Sequence, residues 1–172
     1  TTRDGTSITD LEKLLGRALP PLQQPANIVG IQGQVWSETI RTAAQLEQMI
    51  YPRLLALAER AWHKADWELN NNQSKRLTDW HSFASRVAEV ELKRLAAMGS
   101  TFYLPPPGAR WQQGKLVVNN VLPGLTVQYS FDQGNSWQVY SGQSLQITDT
   151  ILLRSVFNQL SSISAEVESV AK

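Results

Sequence analysis

Hydrophobic residues recur along the chain at two different periods. Between residues 42 and 63 the apolar positions Leu46, Met49, Ile50, Leu54, Leu57, Ala58 and Ala61 return every three or four residues, the spacing of one helix face. Thr42, with Gln45 three residues on, forms a capping box at the start of this helical stretch, about 43–63. Pro52 falls inside it and lacks the N–H that a helix interior needs. A kink or break is predicted there, with Pro52 as the first residue of a new helix. A further helix is predicted over about 79–98, from a Thr78 cap to Met98, with Trp80, Phe83, Ala84, Val87 and Leu95 on one face and Gly99 as its stop.

Upstream, Thr9-Asp10-Leu11-Glu12 opens a short helix that runs to about Leu15 and ends at Gly16, after which Pro20, Pro21 and Pro25 hold the chain extended. Residues 28–36 (IVGIQGQVW) are apolar and rich in β-branched side chains, which predicts a buried strand of the parallel-sheet kind. Asn70-Asn71-Asn72-Gln73-Ser74 reads as an exposed polar loop.

Past Gly99 the period changes to alternation. Short runs at 115–119, 125–130, 137–140, 151–156 and 164–168 are separated by turn signals, and Phe131-Asp132-Gln133-Gly134-Asn135-Ser136 has the residues of a hairpin loop. The pattern predicts a small antiparallel β-sandwich, Ig-like in outline. Charge changes at the same place: residues 1–100 carry 23 charged side chains and residues 101–172 carry eight. Two domains follow, 1–100 and 101–172, and the fold class is α + β in two parts.

Composition narrows the function. With 172 residues the chain buries a real core but is too short for a whole (β/α)₈ barrel, which takes about 250 residues. A formal net charge of +1 gives no long-range field for nucleic acid. No apolar run spans a bilayer, and the absence of cysteine excludes thiolate metal sites and thiol catalysis. There is no phosphate-binding glycine loop and no paired-histidine zinc motif. His63 and His81 fall on different predicted helices, so a Ser-His-Asp set could be assembled only by arbitrary choice. Their plain reading is solvated or capping residues.

One segment carries candidate chemistry. Gly30-Ile31-Gln32-Gly33-Gln34-Val35-Trp36-Ser37-Glu38-Thr39 puts Trp-Ser-Glu at a strand end just before a capped helix, on the rim where α/β proteins place their sites. There Trp36 can offer a flat apolar face to a sugar ring, and Glu38 can accept hydrogen bonds from vicinal hydroxyls. The same residues also suit a Trp packed under a loop and a Glu favouring a helix N-terminus. Spacing alone leaves both readings standing.

The stretch Gly30 to Glu38, followed by Met49-Ile50-Tyr51-Pro52-Arg53-Leu54-Leu55-Ala56-Leu57-Ala58-Glu59-Arg60-Ala61-Trp62, resembles the last strand and last helix of family 20 glycoside hydrolases, of the chitobiase-like β-N-acetylhexosaminidase kind. The likeness continues through Asp66-Trp67-Glu68, the Trp80 to Leu95 helix and Tyr103-Leu104-Pro105-Pro106-Pro107-Gly108-Ala109-Arg110. It extends to Tyr129-Ser130-Phe131-Asp132-Gln133-Gly134, and Arg3-Asp4-Gly5 resembles part of a loop before the last barrel strand.

The resemblance implies the C-terminal portion of such an enzyme: the last strand and helices of a (β/α)₈ barrel, then an Ig-like β-sandwich. It implies an exo-β-N-acetylglucosaminidase that removes terminal N-acetylglucosamine from chitobiose and chitin oligosaccharides. In the family an Asp-Glu pair acts with the substrate's own acetamido group, an exception to the two-carboxylate scheme. This sequence contains no Asp-Glu dipeptide, so no catalytic residue is expected in the chain, which should be inactive alone.

Two family positions match. Trp36 corresponds to the aromatic wall of the pocket for the non-reducing sugar, and Glu38 to the carboxylate that holds its outer hydroxyls. No cofactor or metal is called for. The resemblance also implies the periplasm or outer membrane of a Gram-negative bacterium. The face of Leu54, Leu57, Ala58 and Ala61 should need the remainder of the barrel or a self-associated dimer to cover it. The competing expectation is a non-enzymatic carbohydrate-binding or scaffolding module, with Trp111, Trp137 and Tyr140 as a sugar platform or, if they lie in the core, as filling.

Overall fold

The computed structural model describes residues 15–17, 23–70, 72–145 and 150–168. Helices and antiparallel strands segregate into two compact units, a helical one up to Tyr103 and a stranded one from Leu104. The helix-opening pattern at residues 9–12 and the prolines at 20 and 21 lie outside the described residues, while Gly16 takes φ +64 beside helical Leu15. Pro25 opens a 3₁₀ turn, Pro25–Asn27, closed by a 3.1 Å bond from the Asn27 N–H to the Gln24 carbonyl. A fixed φ suits that turn as well as it suits extended chain.

The capping box forms as the sequence predicts. The Gln45 N–H donates to Thr42 Oγ1 and the Thr42 N–H to Gln45 Oε1, both at 3.2 Å, opening α1, Ala43–Ile50. The expected break follows, and α2, Arg53–Trp62, starts beyond it. Pro52, joined to Tyr51 by a cis peptide bond, is the N-cap of α2 rather than its first residue. Arg53 Nη1 donates back across the break to the carbonyls of Gln48 and Met49 at 3.1 and 3.3 Å, and the guanidinium stacks 4.5 Å from the Tyr103 ring centroid. The Tyr103 N–H donates to the Tyr51 carbonyl, and the Thr101 N–H and hydroxyl both reach Glu47 Oε2. These contacts hold residues 101–103 in the helical unit, so the chain changes units slightly later than its composition changes.

After the single turn α3, Trp67–Asn70, the long helix begins earlier than expected, as α4, Gln73–Arg86. Its cap is Asn72, whose side chain accepts from the Lys75 N–H at 3.0 Å. Thr78 is no cap, since its hydroxyl donates to the Ser74 carbonyl within the helix. The end of the polar run read as a loop therefore supplies a cap and the first helical residues. A five-residue π segment, Val87–Glu91, interrupts the helix before α5, Leu92–Ala97. With its extra residue the buried stripe runs through Ala84, Val87, Ala88, Leu92 and Leu95, and Trp80, expected on that face, is exposed. Gly99 at φ +73 ends the helix, with N–H bonds from Ser100 to the Leu95 carbonyl and from Gly99 to the Ala96 carbonyl. That is the Schellman arrangement, which glycine enters without a Cβ penalty.

Residues 28–36 depart from expectation. They form no ladder with any described residue, and Ile28, Val29, Ile31, Val35 and Trp36 are exposed. A parallel-type strand draws both its hydrogen bonds and its burial from neighbouring strands, and the described residues supply none beside it. Close backbone approach survives: a Cβ on Gly33 would sit 2.8 Å from Leu57 Cδ2, so the glycine lets this segment lie against α2.

The stranded unit follows the alternating pattern closely. Strands β2 (Lys115–Asn119), β3 (Thr126–Ser130), β4 (Gln138–Tyr140), β5 (Thr150–Phe157) and β7 (Ala165–Glu168) fall on the five predicted runs, while β1 (Gly108–Gln112) and the two-residue β6 (Leu160–Ser161) were not foreseen. β1 and β2 pair from Gly108↔Asn119 to Gln112↔Lys115 across Gln113-Gly114, both at positive φ as a type I′ hairpin requires. The other sheet runs β4-β3-β5-β6, with β7 also on β5 and with Gln128↔Arg154 and Ile151↔Val167 in register. Ala109 and Leu116 from the hairpin meet Tyr129, Ile151, Leu153 and Val167 from the larger sheet in one core. No helix among the described residues is long and apolar enough to cross a membrane, and none of the described His, Asp and Glu side chains cluster to hold a metal.

Candidate functional site

The segment singled out by sequence ends in a tight turn. The Ile40 N–H donates to the Ser37 carbonyl at 3.0 Å, which folds Ser37-Glu38-Thr39-Ile40 over the start of α1. Arg41 closes the turn from the other side, its Nη1 donating to the Glu38 carbonyl at 2.6 Å and to the Ile40 carbonyl at 3.1 Å. The Arg41 N–H donates in turn to Gln45 Oε1 at 2.7 Å, so the acceptor that completes the capping box also fixes the turn's last residue. Local sequence thus builds the turn, the cap and the helix as one hydrogen-bonded piece.

Trp36 and Glu38 flank Ser37 at the head of this piece. Trp36 is 73% exposed, an unusual state for the largest apolar side chain, and Glu38 is exposed as well. Among the described residues neither the indole nor the carboxylate has a hydrogen-bonding or ring partner. An open indole face and an open carboxylate on a fixed turn can stack on an apolar ring and accept hydrogen bonds from hydroxyls. Arg41 escaped the sequence reading because its contacts depend on a turn that no motif announces.

A second polar cluster sits at the far end of α2. Trp67 Nε1 donates to Asp79 Oδ2 at 2.9 Å, His63 Nε2 lies 3.5 Å from Asp79 Oδ1 and His63 Nδ1 lies 3.9 Å from Glu59 Oε1. Arg60 pairs with Glu68 and stands 5.2 Å from the Trp67 ring centroid, and this pairing holds the Glu68 carboxyl below its ordinary value. His63 is also the C-cap of α2, while His81 is exposed on α4. These groups are engaged with one another and tie α2 to α3 and α4.

Trp111, Trp137 and Tyr140 are engaged within the stranded unit. Tyr140 donates its hydroxyl to the Leu116 carbonyl at 2.8 Å, and Trp111 packs on the core with Nε1 buried and without a partner among the described residues. Trp137 donates to the Gly134 carbonyl at 2.9 Å, and Arg154 covers its ring at 4.0 Å while bonding Gln128.

Residues 5–65 match the family model of the glycosyl hydrolase family 20 catalytic domain, and residues 91–162 match that of the chitobiase/beta-hexosaminidase C-terminal domain. The chain is 39% identical over 141 residues to the N,N'-diacetylchitobiase of Vibrio harveyi, covering 74% of this chain and 16% of that protein. Against the beta-hexosaminidase of Vibrio vulnificus it is 37% identical over 152 residues, covering 76% of this chain and 18% of that protein. Against beta-hexosaminidase B of Pseudoalteromonas piscicida it is 60% identical over 48 residues, 28% of this chain and 6% of that protein. The chain therefore spans less than a fifth of the relatives it matches. It belongs to glycosyl hydrolase family 20, as a chitobiase-like sequence carrying a portion of the catalytic domain followed by the C-terminal domain.

Proposed function

We propose that the chain is part of an exo-β-N-acetylglucosaminidase that removes terminal N-acetylglucosamine from chitobiose and chitin oligosaccharides by substrate-assisted, retaining catalysis. The chain contributes binding rather than proton transfer. Trp36 forms the wall on which the non-reducing sugar stacks, and the Glu38 carboxylate accepts from its outer hydroxyls. The Asp-Glu pair lies outside the chain, which alone turns over no substrate.

The observation that carries this reading is the pairing of an exposed indole and an exposed carboxylate on one fixed turn, inside the stretch that matches a family 20 catalytic domain. Residues 28–36 then read as the last strand of a (β/α)₈ barrel, and their exposure as the want of neighbouring strands. The Gly33 approach to Leu57 supports that reading, since a barrel strand packs on the helix that follows it.

Trp36→Ala and Glu38→Gln in the complete enzyme test the assignment. A hydrogen bond to a charged acceptor contributes about 1.5–3 kcal/mol, so Glu38→Gln should lower kcat/KM of a chromogenic N-acetyl-β-glucosaminide on the order of 10- to 100-fold. Trp36→Ala should raise KM on the order of tenfold. Unchanged kinetics in both variants would contradict the assignment.

For the stranded unit we favour an Ig-like prop over a sugar platform, because Trp111, Trp137 and Tyr140 are engaged inside it. Chitin oligomers should leave Trp137 fluorescence unmoved, whereas deleting the unit should lower the melting temperature of the enzyme. A saturable shift of that fluorescence would reverse the preference.

A further inference from the structure

We infer that Arg41 is a positioning residue for the sugar pocket, setting where the Glu38 carboxylate stands. The inference rests on the reading of Trp36 and Glu38 given above and adds a residue that neither the sequence motif nor the family resemblance assigned. Glu38 has no side-chain partner among the described residues, so its position is set through its backbone. That backbone is held from two sides. The Ile40 N–H to Ser37 carbonyl bond closes the turn around Glu38, and Arg41 Nη1 grips the Glu38 and Ile40 carbonyls at 2.6 and 3.1 Å.

A guanidinium suits this task better than an ammonium. One planar nitrogen carries two N–H groups at a fixed angle, and each finds one of the two carbonyls, whereas a lysine would bring a point charge with no preferred plane. Such charge-assisted bonds are shorter and stronger than neutral ones. Arg41 is itself anchored, its own N–H bound to Gln45 Oε1 at 2.7 Å, and Gln45 is locked into the capping box of α1. The chain of support therefore runs from helix α1 through Gln45 and Arg41 to the peptide that carries Glu38. Arg41 is exposed and removing it leaves no buried group unpaired, so its loss should change position at the turn far more than it changes folding.

Displacing a binding group by about 1 Å is enough to cost a large factor in rate or binding. The test is a double-mutant cycle in the complete enzyme with a chromogenic N-acetyl-β-glucosaminide, measuring KM and kcat separately. Arg41→Ala should raise KM by about three- to tenfold with a smaller change in kcat, and Arg41→Lys should recover part of the loss. In the Glu38→Gln background Arg41→Ala should add little, because Arg41 acts through Glu38. A KM unchanged by Arg41→Ala while Glu38→Gln raises it would overturn the inference and leave the pocket reading intact. An Arg41→Ala effect of full size in the Glu38→Gln background would overturn it too, since Arg41 would then act by another route. A KM unmoved in Glu38→Gln and Arg41→Ala alike would overturn the pocket reading and this inference together.

Discussion

Asp132 shows how much one side chain organises in this molecule. Between β3 and β4 its carboxylate accepts from the Ser130 hydroxyl at 2.6 Å, from the Ser136 hydroxyl at 2.5 Å and from the Ser136 N–H at 2.9 Å. The Ser130 hydroxyl, then those of Ser136, hold the Asp132 carboxyl down at about 2, against an ordinary value of 3.8. A carboxyl whose folded value is lowered stabilises the fold above its unfolded value, and the stabilisation is lost as pH falls toward the folded one. Asp132→Asn should therefore melt below the parent chain above pH about 4, with the gap closing between pH about 4 and about 2. Melting curves of the two proteins across that range check the expectation, and a gap constant with pH would contradict it. The sequence announced this loop, because Asp and Gly stand where a hairpin needs them. Arg41 was not legible: guanidinium-to-carbonyl bonds depend on the path of the backbone rather than on a residue pattern.

At the scale of elements, what was legible depended on how local its cause is. The Thr42–Gln45 box joins neighbours, and it forms where the sequence put it. The start of α4 was misplaced because both Asn72 and Thr78 are capping residues, and only the backbone decides which side chain meets a free N–H. Asn72→Ala should thus destabilise the protein by about 1 kcal/mol, whereas Thr78→Ala should cost less than about 0.5 kcal/mol. Chemical denaturation of the two variants checks the pair, and a larger loss in Thr78→Ala would return the cap to Thr78. β1 went unread because Gln113-Gly114 is a weaker hairpin signal than Asn-Gly, although both residues take positive φ. Residues 28–36 carry the composition of a buried strand, but a strand is a property of a sheet, and the described residues put no neighbour beside it. In the site, Trp36 and Glu38 came from a family likeness and their spacing left two readings open, so physics alone identified a candidate segment and no more.

At the scale of the whole chain, apolar positions without cover are concentrated in the helical unit. Ile28, Val29, Ile31 and Val35, with Leu46, Met49, Leu54 and Trp62, are all exposed, and Trp62 is 91% so. Neither α1 nor α2 buries a residue, despite the strong one-sided pattern of α2. Surfaces of this kind drive association, so the isolated chain should sediment as concentration-dependent oligomers. A single monomeric boundary at every concentration would contradict that. Under the proposed function the natural cover is the rest of a barrel, which would also bring the missing acid pair to Trp36 and Glu38.

The most direct test of that account is hydrolysis of a chromogenic N-acetyl-β-glucosaminide by the purified chain, alone and after mixing with the remainder of the catalytic domain. The chain alone should be silent and turnover should appear on mixing, lowered by Glu38→Gln in the added chain. Turnover by the chain alone would contradict it, because the acid would then lie within these residues.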